Sequence, residues 1–480
     1  MSSSPVMLAR LLGALALSVA LAGCAADLGP RPALTDGKDI EAQRTFATAA
    51  SPGAALAGDW WKSFGDPQLD RLIDEAVAGS PSLAIAAARI SQAEAAASRT
   101  SNEAGPTVTG EGAVQGVRQS LNTGFPPAFK AFLPQGWHDQ ARVDAAVNYQ
   151  LDFFGRNRAA LAAATSNADA VRADAAAARL TLSTAVAGAY ADLKQAFADR
   201  DAVNEAITVR TQSASLMQQR FQQGLENREP AARAESAAAS ARTDLAQIDG
   251  HIALIRNQIA ALLGKGPDRG LAIDRPAAGA MQPLAVPTDL AADLVGRRPD
   301  VAAARARAQA AASREDRARA DFYPNINLAA VVGLQSLPIS TLLTNDSQYG
   351  SFGPAISLPI FDNGARNDAY RGSRGAYLEA AGVYRQTVVQ AYRDVADALA
   401  QRKALQDQLV QALAAVRASD EAHTIADQRY RAGLERYLTV LDAEDDLLAA
   451  RRRATDLEAS AFNTDVALIR ALGGGYHTPS

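Results

Sequence analysis

Cysteine is nearly absent: Cys24 is the only one in 480 residues. One thiol cannot build an internal disulfide, a zinc–cysteine cluster or a redox pair. Aromatic residues are scarce too, 6% of the chain against 48% hydrophobic residues, with alanine very abundant. That balance suits thin walls of closely packed helices better than thick globular cores. The four histidines, His138, His251, His423 and His477, lie far apart and have no metal-ligand spacing. No Gly-x-Ser-x-Gly elbow occurs, and Gly264-Lys265-Gly266 lacks the glycine spacing of a phosphate loop. A net charge of −4 gives no electrostatic reason to expect nucleic acid. Catalytic residues, metal and cofactors are therefore not expected.

What is present starts at the N-terminus. Arg10 precedes an apolar run, Leu11 to Leu21, that is too short to span a bilayer comfortably and reads as a secretory signal. The run ends in Leu21-Ala22-Gly23-Cys24, which resembles a bacterial lipobox. In that motif the cysteine takes a diacylglycerol thioether and becomes the first mature residue. Ala25 follows where an aspartate would favour retention in the inner membrane, so an outer-membrane location is expected. The remaining chain is long enough for two or three ordinary domains of about 100 to 200 residues.

An internal repeat governs it. Pro81-Ser82-Leu83-Ala84 and Pro299-Asp300-Val301-Ala302 open similar alanine-rich segments 218 positions apart, and the prolines that close them, Pro106 and Pro324, are also 218 apart. Proline suits the first turn of a helix and stops a helix downstream. Each half then switches to an alternating pattern. Strands are expected at about 107–117 and 142–152 in the first half and about 325–335 and 351–361 in the second. Segments of about 10 residues with one apolar and one polar face fit a wall between lipid and a watery lumen, although a soluble sandwich shows the same alternation. Loops 118–141 and 336–350 join the strand pairs and look like extracellular turns.

Two long proline-free helices follow, at about 156–222 and 365–430, each reaching roughly 100 Å. Val186, Tyr190, Leu193 and Phe197 pair with Val388, Tyr392, Val395 and Leu399 at an offset of 202, in coiled-coil spacing. The turns Gly224-Leu225 and Gly433-Leu434 pair at 209, which implies one additional heptad in the second half. Return helices are expected at about 230–263 and 437–472. In each half the short helix and the return helix together nearly equal the long one, as a wall of end-to-end helices beside a continuous helix requires. A freestanding coiled-coil stalk needs no such balance.

The expected organisation is a lipoprotein signal at 1–23, a lipid-anchored linker at 24–58, repeats at 59–265 and 289–475 around a linker at 266–288, and a tail at 476–480. In order along the chain, Trp60-Trp61-Lys62-Ser63-Phe64-Gly65-Asp66-Pro67, Leu151-Asp152-Phe153-Phe154-Gly155-Arg156, Arg297-Arg298-Pro299-Asp300, Phe322-Tyr323-Pro324, Leu358-Pro359-Ile360-Phe361-Asp362-Asn363-Gly364 and Tyr430-Arg431-Ala432-Gly433-Leu434 resemble the TolC-like outer-membrane factor family. The closing Ala471-Leu472-Gly473-Gly474-Gly475 fits it as well, and the lipobox points to the lipoprotein efflux branch (NodT/OprM type). The resemblance implies an α plus transmembrane β fold, in which a homotrimer forms a 12-stranded β-barrel continued by an α-helical tunnel. It implies the outer-membrane channel of a tripartite efflux system, with a periplasmic adaptor and an inner-membrane transporter, foremost of the RND type, as partners. Alternatives are an exit duct for type I protein secretion or a structural coiled-coil periplasmic lipoprotein.

Carried over residue by residue, the resemblance places the periplasmic aperture at Leu438, Asp442 and Asp445. Leucine excludes water there and a ring of carboxylates attracts cations. Asp445 stands where relatives have a basic residue, which speaks against a resting lock based on an arginine–carboxylate pair. A solvated helix face is the plainer reading of these charges. Tyr430 matches a tyrosine that bonds between helices near the tip, with seam packing as its rival. Gly224, Leu225, Gly433 and Leu434 form the turns expected to dock the adaptor, or else simply punctuate loops.

Overall fold

The computed structural model describes residues 27–34, 40–47, 57–122, 124, 126–277 and 297–477. Cys24, the signal segment and residues 278–288 of the linker lie outside them. The chain divides into two compact units. One comprises residues 91–169 and 306–382 with the N-terminal segment to Ala33, and the other comprises 34–90, 170–305 and 383–480.

The chain order is α1 (Pro67–Gly79), α2 (Pro81–Glu103), β1 (Thr107–Val117), β2 (His138–Leu151), α3 (Arg156–Gln222) and α4 (Arg228–Leu262). It repeats as α5 (Pro299–Ala320), β3 (Asn325–Ser336), β4 (Gln348–Ser357), α6 (Ala365–Arg431) and α7 (Tyr437–Ala471). The helices differ from the sequence expectation: the second half carries no extra heptad. Helices α3 and α6 are both 67 residues long and start 209 positions apart, and α4 and α7 are both 35 residues long. Val186 therefore corresponds to Val395, not Val388. At this offset Tyr190 falls on Leu399 but Leu193 and Phe197 fall on Arg402 and Gln406, so the apolar seam is matched better one heptad early and only the helix ends give the true pairing.

In the first unit the four strands form one antiparallel sheet in the order β1-β2-β3-β4. Strand β2 starts at His138 rather than 142, because the whole of β1 through Val117 finds partners there. Strand β4 ends at Ser357 rather than 361; its pairing with β3 ends where Ser357 meets Asn325, and Pro359, which has no N–H to give, follows two residues later. The register gives the sheet two unlike faces. Rows such as Val108–Val147–Ala330–Phe352 and Leu151–Ile326–Ile356 make one face apolar. Its single charge is Asp139 at one end, whose carboxylate accepts the backbone N–H of Ile339 at 2.8 Å. Rows such as Thr107–Asn148–Ala329–Gly353 make the other face polar or small. The apolar face is bare in the single chain: Phe352 is 92% exposed.

Asp152 and Asp362 start the long helices alike. Asp152 accepts the backbone N–H groups of Asn157 and Arg158, at 3.0 and 2.9 Å, and Asp362 accepts those of Gly364 and Arg366, both at 3.2 Å. Such bonds satisfy donors that a helix start leaves without partners. The N-terminal segment is tied to the same unit. The buried Glu315 carboxylate accepts Arg31 at 3.0 Å and Arg374 at 2.8 Å, and Arg374 also donates to the carbonyls of Gly29 and Pro30.

The second unit is built around the helical seam. Val186, Tyr190, Leu193, Val388, Tyr392, Val395 and Leu399 all lie in one core, closed by Trp60, Trp61 and Phe64 on a short turn and by Leu468 and Ile469 of α7. Each fully buried aliphatic side chain contributes about 2 kcal/mol. Asp66 caps α1 through the N–H groups of Gln68 and Leu69 and accepts the Tyr190 hydroxyl at 2.7 Å, so the Trp60–Asp66 segment is fastened to α3. Arg298, also buried, binds Asp300, Asp394 and the Ala471 carbonyl. Gly473 lies against it: a Cβ there would sit 1.9 Å from the Arg297 carbonyl oxygen, at a φ of +86°.

Candidate functional site

The two helical turns of the second unit are near copies. Gln222 ends α3, Gly224 takes a φ of +71°, and Leu225 N–H returns to the Arg220 carbonyl at 2.9 Å. In the other copy Gly433 takes +72° and Leu434 N–H returns to the Arg429 carbonyl at 2.9 Å. Left-handed glycine followed by this backward bond ends a helix sharply. The turns leave Leu225 63% and Leu434 69% exposed, and an arginine and a glutamate flank each: Arg220 with Glu226 at 3.8 Å, Arg429 with Glu435 at 3.6 Å.

Beside the turns, Met217 of α3, Ala231 and Ala234 of α4, Ala426 of α6, and Tyr437, Val440 and Leu441 of α7 form a second small core. Tyr430 packs on its rim. Its hydroxyl accepts Arg220 at 3.2 Å, the Arg220 guanidinium stands 5.8 Å over its ring, and Tyr437 lies tilted against it at 5.4 Å. Tyr430 thus joins α6 to α3 by a charge-assisted bond as well as by packing.

The expected aperture residues separate into two groups. Leu438 and Asp442, four positions apart on one face of α7, are both exposed. Asp445 is engaged: Arg210 of α3 donates to it with one guanidinium nitrogen, to Glu444 with another at 3.2 Å, and to the Ala237 carbonyl at 3.5 Å. This corrects the sequence expectation. Asp445 itself stands in an arginine–carboxylate pair, with the arginine supplied by α3. Arg210 and Glu444 are both buried. Burial pushes the Glu444 carboxyl above its ordinary value, against the pull of Arg210. A groove of about 410 Å³ opens alongside, lined by Arg210, Asp244, Asp445, Leu448, Arg452 and Asp456, with Arg452 and Asp244 paired at 3.2 Å.

Arg210 and Arg220 were missed in the sequence. Nothing in the local pattern distinguishes them from other helical arginines, and their partners are far along the chain. Among the described residues no group of three or more His, Cys, Asp or Glu is placed to hold a metal, and no helix is long and apolar enough to cross a membrane.

Comparison with known proteins agrees with this architecture. The family model described as outer membrane efflux protein matches residues 72–265 and 290–474, one stretch in each repeat. The multidrug resistance outer membrane protein MdtP of Escherichia coli K12 is 30% identical over 422 residues, which cover 87% of this chain and 86% of that protein. The fusaric acid resistance protein FusA of Burkholderia cepacia is 34% identical over 357 residues, 74% of this chain and 67% of that one. Among solved structures, the outer membrane protein VceC of Vibrio cholerae superposes with a TM-score of 0.82 at 36% identity, covering 88% of this chain and 99% of that one. The outer-membrane channel OprN gives 0.82 at 26% identity over 94% of this chain and 99% of its own. With the two-faced sheet, the paired long helices and the matched repeats in view, the chain belongs to the outer membrane efflux protein family, whose members are TolC-like channels without enzymatic activity.

Proposed function

We propose that three copies of this chain assemble into the outer-membrane exit channel of a tripartite efflux system. One observation carries the reading: a four-stranded sheet with an apolar face, a polar face and two unpaired edges, β1 and β4. Open strand edges are not tolerated in lipid, and four strands are too few to close on themselves. Three sheets joined β1 to β4 give 12 strands, remove every edge, and turn the apolar face to lipid and the polar face to water. Lipid on Cys24 would fix the chain to the outer membrane.

At the helical turns, Leu438 and Asp442 of three copies form the aperture, leucine as the apolar constriction and aspartate as the cation-attracting ring. The Arg210 bonds to Glu444 and Asp445 hold α7 against α3 and keep that aperture closed; the Arg220–Tyr430 bond does the same nearly three turns nearer the tip. The exposed Leu225 and Leu434 are the knobs on which a periplasmic adaptor docks, itself coupled to an RND-type inner-membrane transporter. Multidrug resistance, pyoverdine export and fusaric acid resistance appear in the names of relatives, and small-molecule efflux is accordingly favoured over protein export.

The reading is tested with purified protein in planar bilayers and in outer-membrane fractions. Trimers that resist unheated detergent and single-channel conductance are expected, with cation selectivity that weakens when Asp442→Ala is combined with Asp445→Ala. A monomer that stays in solution without detergent overturns it. Radiolabelled palmitate incorporated by the natural chain and lost in Cys24→Ser tests the anchor separately.

A further inference from the structure

At the loop end of the first hairpin, the apolar face of the sheet runs out on a tryptophan and an arginine. Continued one position past its last pair, Val117 with His138, the β1–β2 register sets Arg118 opposite Trp137. Trp137 lies on the apolar side: a Cβ on Gly116, whose row partner is Asp139 of that face, would stand 3.8 Å from the indole Cε3. Its place is fixed by the local chain. Gly136 turns the backbone at a φ of +88°, and the His138 ring donates from Nε2 to the Gln135 carbonyl at 2.8 Å. The indole is still 72% exposed.

Arg118 is exposed and makes no ion pair among the described residues. The acid next to it along the register, Asp139, accepts the Ile339 N–H. From Arg118 to Trp137 the sequence holds two cations, Arg118 and Lys130, and no Asp or Glu. The same stretch exposes large rings. Phe129 and Phe132 stand three positions apart on a 3-10 turn, Pro127–Phe132, which sets both on one side, and Phe132 is 84% exposed. The other hairpin loop, 337–347, has no aromatic residue and carries an acid, Asp346. Exposed aromatics in an acid-free stretch mark an interaction surface. Where they continue an apolar sheet face, they fit the boundary between acyl chains and headgroups.

We infer that this rim is a lipid-binding site: Phe129, Phe132 and Trp137 take the upper acyl chains of the outer leaflet, and Arg118 binds the phosphate of a lipid headgroup. The rings by themselves accept any lipid. The arginine selects phosphate, because its planar fork donates two parallel hydrogen bonds to two phosphate oxygens. Its stem lies along apolar surface while the charge stays in the headgroup layer. The site belongs to the first hairpin alone, since the second has neither the rings nor the free cation. It rests on the proposed reading of the sheet as a barrel wall with its apolar face to lipid.

The test uses the intrinsic fluorescence of the full-length trimer in vesicles, since Trp137 is exposed and the other two tryptophans, Trp60 and Trp61, are buried. The host lipid is digalactosyl diacylglycerol, which has no phosphate, and the probe is a minor fraction of phosphatidylglycerol brominated on its upper acyl chains. Trp137→Phe supplies the background. Quenching should report the probe enriched about fivefold beside Trp137. Arg118→Gln should abolish that enrichment, and Arg118→Lys, which keeps the charge, should retain part of it. A brominated galactolipid should quench the natural protein and Arg118→Gln alike, which separates loss of phosphate binding from loss of fold. Enrichment that survives Arg118→Gln overturns the site. So does a Trp137 quenched by aqueous iodide and not by brominated lipid, or one shielded from both by another copy. Val147→Trp combined with Trp137→Phe places the fluorophore on the apolar sheet face and should be quenched by brominated lipid; its failure overturns the channel reading as well.

Discussion

The two helical tips have the same backbone and opposite chemistry. Their helices agree in length to the residue and their glycine turns in dihedral angle and hydrogen bonding. At the fixed offset of 209, Leu438 and Asp442 correspond to Glu229 and Arg233. In α4 that glutamate and arginine pair with each other at 2.8 Å, so the first copy closes its own charge on its surface. In α7 the same two positions hold an exposed leucine and an exposed aspartate. Arg210 of α3 corresponds to Ser419 of α6, and Asp445 of α7 to Ser236 of α4, so the buried clasp exists once, not twice. Duplication kept equal lengths and sharp turns in both copies and left the buried clasp in one.

Backbone features shared by a repeat should be the least tolerant. Gly473→Ala combines a left-handed φ with a carbonyl oxygen inside bonding distance of the new Cβ, and it should cost several kcal/mol or prevent assembly, about 3 kcal/mol at the least. Trimer yield in unheated gels reads it. Arg210→Ala strands a buried carboxyl and should cost on the order of 3 kcal/mol at the tip while raising open-channel conductance. Ser419→Ala, the matching change in the other copy, should leave conductance unaltered; equal effects would dissolve the distinction between the tips. Tyr430→Phe removes one charge-assisted bond from a half-exposed arginine and should cost about 1 kcal/mol, read as a higher frequency of brief openings.

The smallest effect concerns pH. Asp199 of α3 is pushed up to about 6, by burial first and then by the neighbouring Asp456, with Arg452 and His251 pulling the other way. A carboxyl raised above its unfolded value of 3.8 binds its proton more tightly in the folded state. Its stabilising contribution is therefore full below that value and is lost as pH rises through about 6. The thermal midpoint of the trimer should fall slightly between about pH 5 and about pH 7, and Asp199→Asn should flatten the fall.

Much of this was legible in the residues because it rests on period. Alternation over Arg142–Leu151 marks a two-faced strand, and Pro106 and Pro324 mark where helix gives way to strand. Period also points to a wrong partner: the α3 seam meets apolar residues throughout at an offset of 202 but Arg402 and Gln406 at 209, and only the helix ends give the true pairing. The Arg210 clasp and the tie between Arg31 and Glu315 were invisible for another reason. Each joins charges more than 200 positions apart, and charges on exposed-looking helices carry no local sign of burial. The polar face of the sheet lies between these cases. Its alternation was readable, whereas which side chains meet across it required the register of four strands.

The central claim is that the edges of this sheet find each other in different copies. A panel of cysteine pairs, joining Thr107 or Thr109 of β1 to Ser351, Gly353 or Ala355 of β4 in the full-length chain, tests it by oxidation in outer-membrane fractions. Within one sheet, β1 and β4 are three strand spacings apart, roughly 14 Å, beyond the ~7 Å limit for a disulfide. Covalent trimers for the pairs in register are the expected result; pairs that all remain monomeric, or that close within a single chain, would contradict the account.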